Sequence, residues 1–305
     1  LTFGTSEGKP NFLFMAASVL IIYTGGTIGM VQRPEDGSLA PVNFDQLSEE
    51  IPQLLKFGYD ISSVSFQPPL DSSNITPENW FRMANIIHEN YSSFDGFVIL
   101  HGTDTMSYSA SALSFMLHHL SKPVVFTGAQ LPLGTLRTDG KENLLTAVEI
   151  AAAKNNGKAL VPEVCIYFSS YLFRGNRTSK IDSQQFRAFD SKNYPLLAKA
   201  GVDIAFNREF IRKPDPKGKF RVNDRLNTHV VILKIFPGIN RSILEAVIGI
   251  DGLRGIVLES FGSGNVPAFP WFSSCIRKAV ERGIVVVNVS QCAGGKVSMG
   301  QYETS

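Results

Sequence analysis

The chain has 305 residues, enough for one large domain or two smaller ones, and 44% of them are apolar against 18% charged, an ordinary globular balance. Its 29 basic and 27 acidic residues leave a net charge of +2 with no long block of either sign, so nothing advertises a polyanionic partner such as nucleic acid. The three cysteines, Cys165, Cys275 and Cys292, have no CxxC spacing and lie in or near apolar runs, so single buried thiols in a reducing compartment are expected, and no structural zinc.

In chain order, residues 11–22 come first. Lys9, the apolar run after it and the small Ala16-Ala17-Ser18 have the features of a signal peptide, but the run is too short to span a membrane and leads straight into Tyr23-Thr24-Gly25-Gly26-Thr27. We therefore expect a loose tail to about Phe14 and a first buried strand from Ser18 to Tyr23. Further strands are expected at Val64–Gln67, Phe97–His101, Val124–Thr127, Val164–Ser169 and Val202–Phe206, then at Val230–Phe236, Gly255–Ser260 and Ile284–Val289. Runs such as VLIIY and VILH are apolar on both faces, as parallel strands covered by helices should be.

Helical patterns fill the intervals. Thr76-Pro77-Glu78 has a hydroxyl N-cap, proline at the first position and an early acid, and Trp80, Met83, Ala84, Ile87 and Tyr91 then form one apolar face. Ser107–Leu120 and Lys141–Ala153 repeat the pattern, and Trp271–Arg282 ends at Gly283, a C-terminal cap. The alternation predicts a doubly wound α/β sheet over residues 15–206, a polar Pro- and Gly-containing linker over 207–228, and a smaller α/β domain over 229–305. The chain stops at Ser305 soon after a strand, with no closing helix, and this second domain reads as incomplete.

Open α/β sheets bind ligands beyond the carboxyl ends of their strands. There this sequence places Thr24-Gly25-Gly26-Thr27-Ile28-Gly29, Asp71-Ser72-Ser73, His101-Gly102-Thr103-Asp104-Thr105 and Gly128-Ala129-Gln130. The glycines let backbone approach a ligand closely, and the helix starting near Ser107 aims free N–H groups at the same edge. Such a pocket suits a carboxylate or an oxyanion. The first loop is neither G-x-G-x-x-G nor a P-loop, there is no G-x-S-x-G elbow, and the five histidines, His88, His101, His118 and His119 among them, lack metal-ligand spacing. The residues alone give a small-molecule pocket at a strand-end edge and no more.

Tyr23-Thr24-Gly25-Gly26-Thr27-Ile28-Gly29 and Leu100-His101-Gly102-Thr103-Asp104-Thr105-Met106 resemble the two signature segments of the L-asparaginases. The resemblance continues through Asp71-Ser72-Ser73, Gly128-Ala129-Gln130-Leu131-Pro132, Asp139-Gly140-Lys141-Glu142-Asn143-Leu144, Arg174-Gly175-Asn176-Arg177-Thr178-Ser179-Lys180 and Gly262-Ser263-Gly264-Asn265, and covers the chain from about residue 18 to the end. Arg-Gly-Asn-Arg with the following lysine favours the cytoplasmic (type I) branch. The resemblance implies a flavodoxin-like N-terminal domain, a cytoplasmic enzyme hydrolysing L-asparagine without metal or cofactor, and a homodimer or homotetramer in which Gly264-Asn265 is a candidate contributor to a neighbour's pocket.

It also implies roles. Thr27 matches the nucleophile, and Thr103, Asp104 and Lys180 match a polar cluster that polarises the second threonine and handles protons. Asp71 and Ser72, with Ser73, match the part of the pocket that holds the substrate's α-amino and α-carboxylate groups, Asp104 also facing the amine. Gly26, Ala129 and Gln130 complete the binding set, and the amides around Gly102 and Thr103 match the oxyanion donors.

Two departures stand out. The segment from Met30 to Pro41 lacks the tyrosine that asparaginases commonly place there to activate the first threonine, which leaves Tyr302, near the C-terminus, as a candidate beside a plain surface role. Glu259 stands where bacterial type I members carry an arginine of an activating asparagine site, with Ser179, Asn265 and Cys292 at neighbouring positions. The reversed charge predicts weak or absent allosteric activation. Competing readings are an ammonia-supplying, asparaginase-like subunit of a tRNA-dependent amidotransferase and a non-catalytic amino-acid-binding module.

Overall fold

Residues 16–32, 39–41, 51–298 and 300 are described by a computed structural model. They form two compact units, one from residues up to Asp190 together with Leu196–Asn223, the other from Ser191–Pro195 together with residues from Asp224 onward.

In the first unit the apolar runs become strands β1 (Ser18–Gly25), β2 (Asp60–Leu70), β3 (Gly96–Leu100), β4 (Val124–Thr127) and β5 (Val164–Phe168). Three shorter strands follow, β6 (Tyr171–Arg174), β7 (Ala198–Ala200) and β8 (Ile204–Phe206). The eight-stranded sheet has the order β8-β7-β6-β5-β4-β3-β1-β2. Strands β1 to β5 pair in parallel, whereas β6, β7 and β8 add an antiparallel edge. The sequence pattern missed β6 and β7, and it began β8 two residues early, at the fully exposed Val202.

Helices α1 (Pro77–Asn90), α2 (Met106–Met116) and α3 (Gly140–Ala152) cover this sheet. At the start of α1, Thr76 N–H donates to Asn79 Oδ1 at 2.8 Å, closing the first turn that the threonine and Pro77 announce. Met83, Ala84 and Ile87 of α1 and Met106, Ala110 and Leu113 of α2 pack with Leu20, Ile22, Phe97, Ile99, Val124 and Phe126 in one fully buried cluster. Alternate residues of the same strands, Val19, Ile21, Val98 and Val125, are also buried and point to the other face, where α3 lies against β1, β3, β4 and β5. The sheet is therefore doubly wound. Helix α2 ends four residues before the expected Leu120, because Leu117–His118 turn extended and pair with Arg221–Val222.

The second unit has three parallel strands, β9 (Val230–Lys234), β10 (Gly255–Ser260) and β11 (Val285–Ser290), in sequential order. Helices α4 (Arg241–Ile248) and α5 (Pro270–Glu281) join them. Leu244, Ile248, Phe272, Cys275 and Ala279 bury one face of this sheet with Leu233, Ile256 and Leu258. On the other face Val230, Ile232, Val285 and Val287 are exposed. Cys165 and Cys275 are buried as expected, but Cys292 is exposed, because it lies past β11 in a polar turn and not in an apolar run.

Candidate functional site

The order 2-1-3-4-5 of the parallel strands reverses direction between β1 and β3, and open α/β sheets bind their ligands at such a switch point, beyond the strands' carboxyl ends. The loops after β1 and β3 meet there back to back. A Cβ on Gly26, whose φ is +89°, would lie 2.5 Å from both Cα and N of Gly102, a distance that only glycine tolerates. A Cβ on Gly102 would in turn lie 2.5 Å from Ser72 Oγ, which brings the loop after β2 into the same contact. Thr105 donates its hydroxyl hydrogen to the Ser72 carbonyl at 2.7 Å and ties the third loop to the second.

Thr27 and Thr103 each follow one of the two touching glycines, and both are partly exposed at this junction. Thr27 opens a short 3-10 turn, Thr27–Gly29. Tyr23 braces that turn, donating its hydroxyl hydrogen to the Gly29 carbonyl at 3.1 Å. Burial pushes the phenol up to about 12, so it remains a donor through the physiological range.

Lys180 reaches the third loop from the short pair Ser179–Lys180 and Phe189–Asp190. Its Nζ donates to Thr103 Oγ1 at 2.8 Å and to Asp104 Oδ1 at 2.7 Å, and Thr103 Oγ1 donates to Gln130 Oε1 at 3.3 Å. The Thr103 hydroxyl therefore accepts from a lysine and donates to an amide, which fixes its orientation beside a potential proton acceptor.

Asp71 stands at the exposed start of the turn Ser72–Asn74. Its Oδ1 accepts from the Ser73 N–H and hydroxyl, both at 2.9 Å, and these bonds hold the carboxyl below its ordinary range. Ser72 is buried, Ser73 exposed, and Ala129 buried in the loop after β4. A carboxylate at the rim beside hydroxyls and loop amides suits a small zwitterion better than an apolar ligand. Tyr302 lies outside the described residues. Among those residues no group of three or more His, Cys, Asp or Glu side chains is placed to hold a metal ion, and no helix is long and apolar enough to cross a membrane.

Sequence reasoning missed a buried relay beneath the site. His101 Nδ1 lies 2.7 Å from the Gly102 carbonyl oxygen, Ser109 Oγ lies 2.8 Å from Nε2, and Trp80 Nε1 donates to that Oγ at 2.9 Å. A carbonyl only accepts and an indole N–H only donates, so the hydrogen sits on Nδ1 and Ser109 donates to Nε2. Burial lowers the imidazole to about 4, against a smaller upward pull from its bond to Gly102, and keeps it neutral.

The family model described as Asparaginase, N-terminal, matches residues 18–212, and that described as Glutaminase/Asparaginase C-terminal domain matches residues 229–305. Over 293 residues the chain is 42% identical to L-asparaginase 1 of Escherichia coli K12, covering 94% of this chain and 83% of that protein. It is 40% identical over 303 residues to the 60 kDa lysophospholipase of Mus musculus, covering 92% of this chain but 52% of that protein, so it spans about half that relative's length. The crystal structure of L-asparaginase I from Vibrio cholerae superposes with a TM-score of 0.84 at 38% identity, over 93% of this chain and 84% of that one.

Proposed function

The chain belongs to the asparaginase family, in its type I branch, and from that premise we propose that it hydrolyses L-asparagine to L-aspartate and ammonia with the Thr27 hydroxyl as nucleophile. Thr27 Oγ adds to the side-chain amide carbon, and the resulting oxyanion is met by loop amides around Gly102 and Thr103. Collapse breaks the carbon–nitrogen bond, the amide nitrogen takes up the proton that the Thr27 hydroxyl gave up on attack and leaves as ammonia, and an ester remains on Thr27. Water then attacks that ester, passing a proton to the Thr103 hydroxyl as Thr103 gives its own to the neutral Lys180 amine, and Lys180 returns a proton by the same path to Thr27 as it departs. Asp71, Ser72 and Ser73 hold the α-amino and α-carboxylate groups, with Asp104 on the amine and Gly26, Ala129 and Gln130 against the reacting amide.

The observation that carries this reading is the Lys180 amino group held between Thr103 and Asp104, in a loop that touches the Thr27 loop through Gly26 and Gly102. The test is ammonia release from L-asparagine by the protein and by Thr27→Ala, with L-glutamine and a lysophosphatidylcholine in parallel. Release from asparagine that falls at least 10³-fold in a folded Thr27→Ala protein supports reaction and nucleophile together. Full activity in the variant removes Thr27 from the mechanism. Ester cleavage without ammonia release replaces the substrate class, and ammonia release only on adding a tRNA-amidotransferase partner favours the subunit reading.

A further inference from the structure

The segment from Asp139 to Asn143, at the start of α3, has no part in the reaction as derived, yet it grips the loop that carries Gln130. Asp139 Oδ1 accepts from the backbone N–H of Gln130 at 3.0 Å and of Leu131 at 3.1 Å. Its Oδ2 accepts from the same Gln130 N–H at 3.1 Å and from Asn143 Nδ2 at 3.1 Å. Asn143 is buried and spends its amide fully: Nδ2 also donates to the Gly128 carbonyl at 3.0 Å, and Oδ1 accepts from the Ser169 N–H at 3.0 Å. The loop is thus held from Gly128 to Leu131 by one carboxylate and one amide. Between these anchors Ala129 lies against Gly140, where a Cβ would stand 3.0 Å from Ala129 Cβ and 3.2 Å from Ile28 Cγ1, the neighbour of Thr27.

We infer that Asp139 is a positioning residue for the reaction, holding the Gln130 loop so that the Gln130 side chain meets the Thr103 hydroxyl. The inference rests on the asparagine hydrolysis proposed above. The cradle demands a group with acceptors only, because every atom facing the carboxylate is a donor. In Asp139→Asn one oxygen still serves Gln130 and Leu131, but the new NH2 faces the Asn143 NH2. Asn143 cannot relieve this by turning over, since that would set its oxygen against the Gly128 carbonyl and its amino group against the Ser169 N–H. The relief left is movement of the loop, which shifts Gln130 from Thr103.

The test measures kcat and KM for L-asparagine, thermal unfolding, and hydrogen exchange of the Gln130 and Leu131 amides, in the parent and in Asp139→Asn. The expected result is amides exchanging at least tenfold faster, kcat lower by at least tenfold with KM within about threefold, and a protein still folded at the assay temperature. In a Gln130→Ala background the same substitution loses most of its effect on kcat. Unchanged exchange overturns the inference, as does kcat within twofold of the parent, or a loss that only tracks the folded fraction. Should Asp139→Asn not fold, Gly140→Ala presses the same loop with the carboxylate's bonds intact. A kcat at least fivefold lower is then expected, and one within twofold overturns the inference. A parent that releases no ammonia defeats the functional reading instead, and the exchange result still decides whether Asp139 holds the loop.

Discussion

Acidification from pH 7 to pH 5 is expected to cost the folded protein about 2 kcal/mol through the single side chain of His101. In the fold this imidazole is neutral and sealed between the Gly102 carbonyl and Ser109, with its pKa lowered from 6.5 to about 4 by burial. Once unfolded it regains the ordinary value and binds a proton that the native state refuses. Between those two values the unfolded chain holds more protons, so stability rises with pH across the window and is lost as pH falls through it. One proton is worth about 1.4 kcal/mol per pH unit, and it counts only below the unfolded value of 6.5, so the roughly 1.5 units down to pH 5 give about 2 kcal/mol. The assay is urea unfolding at fixed protein concentration across that range, in the parent and in His101→Asn. Asparagine keeps an amide donor near the position of Nδ1 but has nothing to titrate. Every other group contributes alike to both proteins, so the difference between the two curves isolates the imidazole. Parallel curves would refute the reasoning, as would a parent that gains on its variant in acid.

Lys180→Met removes the donor to Thr103, and kcat for ammonia release is expected to fall by about 10²- to 10⁴-fold. Its melting temperature should hardly move, because the paired Asp104 carboxylate is largely exposed and such pairs contribute about 0–1 kcal/mol. Glu163→Ala should destabilise the first unit by about 3–5 kcal/mol in urea unfolding, since the nearly buried carboxylate accepts from Arg174 Nε at 2.6 Å and from the Arg212 N–H at 2.7 Å. With Glu259 in place of the activating arginine, the rate should depend hyperbolically on asparagine concentration. A sigmoidal curve in steady-state kinetics would count against that expectation, and Glu259→Arg is the variant in which sigmoidality could return.

The loops after β1, β3 and β4 were legible because each follows a short run apolar on both faces, and one rule then places what comes after it. Helix α1 was legible from Thr76 and Pro77, whose roles are local. Strands β6 and β7 of the antiparallel edge were not. Ala198–Ala200 is three residues long and owes its strand character to pairing with β6 and β8, a tertiary matter that no local pattern encodes. Helix α4 had a readable start that was passed over: Asn240 accepts from the Ile243 N–H at 3.1 Å, ahead of apolar residues at helical spacing. Within the site, the meeting of Thr103, Asp104 and Lys180 was anticipated only from family likeness, because 76 residues separate Lys180 from Asp104 along the chain. The Trp80–Ser109–His101 relay had no sequence signal, since its members come from two helices and a strand end and only the packed sheet brings them together. Asp139 was visible as a motif member but not as a clamp, for no spacing rule links a carboxylate to amides eight or nine positions before it.

The contact between Gly26 and Gly102 also governs how this pocket could evolve. Two side chains in contact can change together, one shrinking as the other grows. Neither of these positions has anything left to give up, so a methyl group at one finds no compensating substitution at the other. The pair acts as a single locus without viable alternatives, and a library that randomises the two loops jointly should return the same glycines as one that randomises them separately. Variation in substrate preference then has to come from side chains around the junction, with Asp71, Ser73 and Gln130 the positions to diversify first.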